Sequence, residues 1–95
     1  MDKINMISVF GQIIPVLKEP LDEYDGMYCS DKKTILIKDT LKDDQYLITL
    51  IHEFIHSVFD RVGITHQLSD DLEEIICHCL SESLLENYDI RTKDD

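Results

Sequence analysis

His52 and His56 stand four residues apart in the apolar run from Tyr46 to Phe59, and Glu53 directly follows the first of them, an HExxH sequence. On a helix, residues i and i+4 lie one above the other on one face, so both imidazoles reach a single ion of the Zn²⁺ type. Glu53 is then placed as the general base that takes a proton from a water activated by the ion. Two imidazoles leave such an ion short of a protein ligand. The set that completes a catalytic centre is His₂Glu, with the fourth position open to water.

That carboxylate is expected from the next helix, which begins at Ser69 or Asp70 and runs to about Tyr88. Asp70, Asp71, Glu73 and Glu74 sit favourably near its positive N-terminal end. Turning about 100° per residue from Leu72, the side chains of Ile76, Leu80 and Leu84 fall near 40°, 80° and 120°, an apolar sector facing the core. Glu73 falls near 100°, inside the sector, whereas Glu74 near 200° and His78 near 240° fall outside it. A carboxylate among leucines needs a partner, because an unpaired buried charge is costly, and a metal ion supplies one. Glu73 therefore ranks first as third ligand, Glu74 second and His78 third.

Other residues of metal-binding or acid–base type are read as structural. His66 falls in the interhelical loop as a solvated residue. Cys77 and Cys79 are two apart on a helix and point to opposite sides, so they do not chelate one ion together and serve as small packing residues. Tyr24, Tyr28 and Tyr46 carry phenols able to face an oxyanion, but core or rim positions suit them better.

The elements that position these residues form an α+β pattern. Ile4 to Glu19 reads as strand, turn at Gly11-Gln12 and second strand, with Pro15 implying a sheet edge or a bulge. Glu19 to Gly26 is a loop, and Met27 to Lys38 is a hairpin about its Ser-Asp-Lys-Lys centre. A small antiparallel N-terminal sheet of three or four strands is expected. Asp43 or Asp44 caps a helix over about Gln45 to Val62, which Gly63 stops. That helix is apolar nearly all round, so strands on one side and the final helix on the other must cover it.

The chain has 95 residues and a formal charge of -11, from 9 Lys+Arg against 20 Asp+Glu. Its length suits one domain over residues 1–95. The acidic balance argues against a nucleic-acid surface, which needs clustered Lys and Arg. No apolar run approaches the roughly 18 residues of a membrane helix, and the first residues lack a signal-peptide pattern, so a cytoplasmic location is expected. Three cysteines, an odd number without an export signal, fit reduced thiols.

With Phe10-Gly11-Gln12-Ile13-Ile14-Pro15-Val16, Gly26-Met27-Tyr28, the His52 to His56 helix and Leu72-Glu73-Glu74-Ile75-Ile76, the chain resembles small zincin-like proteins of phage and prophage genomes, related to ImmA/IrrE-type metallopeptidases. The resemblance implies a minimal zincin: a small sheet, an active-site helix, and a further helix whose acidic residue, matching Glu73 here, completes a zinc site with His52 and His56. It also implies a zinc-dependent metallopeptidase acting on a protein or peptide substrate, in that family a repressor. Phe54 and Ile55 replace the small residues many relatives carry between the histidines, and the Ala-Asn pair of the larger enzymes is absent. Both departures bear on proteolytic efficiency more than on metal binding. The competing expectation is a retained zincin scaffold that binds a host protein without cutting it.

Overall fold

Phe10 and Gly11 both adopt positive φ, 48° and 85°, as the two-residue turns of tight hairpins require. Strand β1 (Met6–Val9) therefore folds straight back on β2 (Gln12–Glu19), with Val9 opposite Gln12. The computed structural model describes residues 6–90. Pro20 to Asp25 form an irregular loop, after which β3 (Gly26–Cys29) and β4 (Thr34–Lys38) make a second hairpin with Cys29 opposite Thr34. Helix α1 (Asp43–Val62), a short 3₁₀ segment (Ile64–Gln67) and helix α2 (Asp70–Asn87) follow.

The fold is α+β, but the sheet is mixed and not antiparallel throughout. Strand order is β1-β2-β4-β3, and β2 pairs parallel to β4. The two hairpins are each antiparallel as expected; their junction is not. Nearly continuous apolar runs, Ile13-Ile14-Pro15-Val16-Leu17 and Ile35-Leu36-Ile37, are the pattern of parallel neighbours. Insertion of β3 at the outer edge lets β4 return beside β2 in the same direction.

Pro15 lies in an interior strand, against the expectation of an edge or bulge. The register explains why this is tolerated. β2 pairs with β1 through Gln12 to Pro15 and with β4 from Val16 onward. Each half of the strand thus has one partner, and the proline sits at the changeover, where its missing N–H is not needed by β4.

The inner face of the sheet supplies Val9, Ile14, Val16, Ile35 and Ile37, all buried, and α1 lays Leu50 on them, with Phe54 and Val58 packed at the margin. Full burial of one such aliphatic side chain is worth about 1.5–3 kcal/mol. Helix α1 is covered by strands on one side and by α2 on the other, as its all-round apolar character demands. Gly63 ends it at φ 85°, its N–H donating to the carbonyls of Asp60 and Phe59. The start differs from expectation: the N-cap position is Lys42, whose side chain makes no capping bond, and Asp43 and Asp44 occupy the first turn.

Helix α2 is capped by Ser69, whose hydroxyl accepts the Leu72 N–H at 3.1 Å. Its inner face is not the expected Leu72-Ile76-Leu80-Leu84 sector. The buried residues are Glu73, Cys77 and Ser81, an i, i+4, i+8 stripe of small or polar groups, while Leu72, Ile75 and Leu80 are exposed. Small side chains at Cys77 and Ser81 let the two helices approach, and the α1 histidines draw the acidic first turn of α2 inward. No helix among the described residues is long and apolar enough to cross a membrane.

Candidate metal centre

Both motif histidines lie on the α1 face toward α2, one turn apart, with ring centroids separated by 5.0 Å. The first turn of α2 meets them. Glu74 reaches both rings: its Oε1 lies 3.0 Å from His52 Nε2 and its Oε2 lies 2.8 Å from His56 Nε2. Glu73, on the buried stripe, places Oε2 2.5 Å from His56 Nδ1.

One ligand atom each from His52, His56 and Glu74 lies within 4.8 Å of the other two. Two imidazole nitrogens and a carboxylate oxygen gathered at this spacing form a group that could hold a metal ion. Against the order drawn from helix angles, the carboxylate facing both Nε2 atoms is that of Glu74, while Glu73 engages Nδ1 of His56. The leucine sector of α2 is not its core face. The actual face is centred on Cys77 and Ser81, a rotation of roughly 60–100° that carries Glu74 to the histidines and Glu73 beneath them.

His78 stays outside this set, on the exposed wall of the adjoining cleft. His66 lies in the 3₁₀ segment, where it is exposed and adds to the field around Asp60. Cys77 is buried and Cys79 exposed, on different sides of α2.

Glu53 packs beside Gly26 at the start of β3 and lines both clefts next to the histidines. It is 8% exposed. Burial pushes its carboxyl up to about 7, with Glu74 raising it further and His56 and the Tyr28 N–H opposing. A carboxyl poised near neutrality suits a general base. Burial lowers the His52 imidazole, and Glu74 resists that shift.

The proximity of β3 to Glu53 depends on Gly26. A Cβ there would lie 2.6 Å from Thr49 Cγ2 and 3.2 Å from Glu53 Cγ, so only glycine lets the strand cross α1 at this level. The sequence reading treated Gly26 as loop punctuation. A glycine opening a strand is itself the signal of a close backbone approach.

A cleft of about 590 Å³ opens beside the histidines, between α1, α2 and the start of β3. A second of about 300 Å³ runs along β3 past Tyr24, Glu53 and His56. No Lys or Arg lines either one, whereas Asp25, Glu74 and Glu82 do. Of the three tyrosines considered, Tyr24 borders both clefts, Tyr28 is committed to Asp60 at 2.7 Å, and Tyr46 lies beneath Lys18. No protein-family model, curated protein or solved structure matches the chain.

Proposed function

We propose that the chain is a minimal zincin-like metallopeptidase that hydrolyses a peptide bond, with His52, His56 and Glu74 as zinc ligands and Glu53 as general base. The observation that carries this reading is the Glu74 carboxylate of α2 lying across the two Nε2 atoms, with the buried Glu53 directly after His52 on α1. When bound, zinc supplies Lewis acidity toward the scissile carbonyl and lowers the pKa of the attacking water. Glu53 takes the proton from that water and delivers it to the leaving amine.

Strand β3 is at the free edge of the sheet and borders the cleft, so an extended substrate adds to it as a further strand. The acidic lining and the charge of -11 favour a substrate carrying Lys or Arg, at the level of both steering and contact. The resemblance to ImmA/IrrE-type enzymes points to a regulatory protein such as a repressor.

A non-cutting binding module is the second reading. It is favoured by the length of 95 residues, which leaves little material for a substrate cleft. Incubation of the purified protein with a mixed peptide library, with and without chelator, separates the two. Chelator-sensitive cleavage that Glu53→Gln abolishes supports the peptidase; retention of peptides without cleavage supports the module.

A further inference from the structure

The two consecutive glutamates of α2 engage opposite nitrogens of one imidazole. Glu74 is on Nε2 of His56 at 2.8 Å and Glu73 on Nδ1 at 2.5 Å. Their surroundings differ as much as their contacts do. The Glu74 side chain is 61% exposed, whereas those of Glu73 and His56 are 11% and 14% exposed.

An imidazole that offers Nε2 to a metal must hold its remaining proton on Nδ1, and an acceptor there fixes both the tautomer and the ring plane. A buried carboxylate is the strongest such acceptor, since the hydrogen bond is charge-assisted and shielded from water. His52 has no equivalent. Among the described residues no carboxylate reaches its Nδ1, and its contact is with Glu74 through Nε2. The two histidines are thus inequivalent: His56 is anchored from behind, and His52 stands at the cleft wall.

We propose that Glu73 is a positioning residue that holds the Nδ1–H tautomer and the orientation of His56, while Glu74 alone supplies the third ligand. This rests on the reading that the cluster binds a metal ion. Adjacent side chains on a helix diverge by about 100°, so Glu73 and Glu74 cannot exchange these tasks without a rotation of α2. That rotation would withdraw Cys77 and Ser81 from the helix interface.

The test uses the full chain, titrated with Zn²⁺ against a competing chelator and, in parallel, with Co²⁺ followed by visible absorption. Glu74→Gln should lose at least about a hundredfold in affinity and change the Co²⁺ spectrum, because a ligand is gone. Glu73→Gln should lose about 10–100-fold, the range for partners behind a metal-bound histidine, and leave the Co²⁺ spectrum intact. Glu73→Ala should match Glu73→Gln or exceed it. Melting curves without metal identify any variant that fails to fold, in which case the other Glu73 variant carries the comparison. In the zinc-loaded wild type, NMR should show a slowly exchanging His56 Nδ1 proton that Glu73→Ala loses.

Wild-type affinity in Glu73→Ala, which removes the acceptor outright, or a Glu73 variant that alters the Co²⁺ spectrum as Glu74→Gln does, overturns the division of labour while leaving the metal centre standing. A wild-type chain that takes up no metal removes both.

Discussion

Helix α1 carries two polar clusters, one near its C-terminal end and one at its middle, and the two are built on different principles. Toward its C-terminal end Asp60 accepts the Tyr28 hydroxyl and the Lys33 ammonium, each at 2.7 Å, tying the β3–β4 hairpin to the helix. One anion meets one cation and one phenol, and the set is closed. Lys33 beside Asp60 holds its carboxyl below the usual carboxylate range, and the Tyr28 phenol is raised by its burial and by Asp60. At the middle of the helix, Glu53, Glu73 and Glu74 gather around two imidazoles. Negative charge exceeds what neutral or singly protonated histidines balance, and the surplus is felt nearby: burial and the charges of Glu73, Glu74 and Glu53 push the Cys77 thiol up to about 12. A balanced cluster stabilises the fold by itself. A cluster short of positive charge gains stability from a cation, which is what distinguishes a binding site from a strut.

The largest expected break in this contrast is chemical. Glu53→Gln should lower peptide hydrolysis by at least about a hundredfold, the lower end for loss of a general base, with zinc content unchanged by metal analysis. Zinc itself should act on the middle cluster alone. At free zinc a hundredfold above Kd, stability rises by about 2.7 kcal/mol, which moves Tm by about 10–20 °C for a domain this size. The same shift should appear in Asp60→Asn, because the strut takes no part in binding.

Gly26→Ala comes next in size. The added Cβ meets Thr49 Cγ2 at 2.6 Å, so β3 must lift from α1 at a cost of about 1–3 kcal/mol. Thr49→Ser removes that methyl group, and the double variant should recover most of the loss in denaturant unfolding.

The strut gives the smallest effect. Asp60 has a folded pKa below its ordinary value of 3.8, so its contribution is complete above the unfolded value and is lost as pH falls through the folded one. Asp60→Asn or Tyr28→Phe should cost about 1 kcal/mol at neutral pH. The Asp60→Asn penalty should shrink in unfolding measurements below about pH 4.

How legible these clusters were in the sequence follows from their separation along the chain. His52 and His56 share a face by helix geometry alone, so their pairing needed no tertiary information. Turn residues likewise announced both hairpins, Gly63 the end of α1, and Ser69 the start of α2. The strut was not legible: Tyr28 and Lys33 are 32 and 27 residues from Asp60, and no local pattern links them. The parallel β2–β4 pairing also depends on where the third strand finds its edge.

Assignment of the glutamates fell between these cases. Apolar periodicity suggested that Leu72 and Leu80 turn inward, yet they are 45% and 46% exposed. Close packing against α1 selects the smaller Cys77 and Ser81, and two imidazoles compete with leucine burial for the first turn. Periodicity records hydrophobicity and is silent on such polar competition.

Anomalous diffraction at the zinc edge from crystals of the wild-type chain grown with zinc addresses the centre most directly. One peak should appear within about 2.0–2.2 Å of His52 Nε2, His56 Nε2 and a Glu74 oxygen, with Glu73 on His56 Nδ1. A chain without a peak at these residues, or with Glu73 in place of Glu74 as ligand, would contradict it.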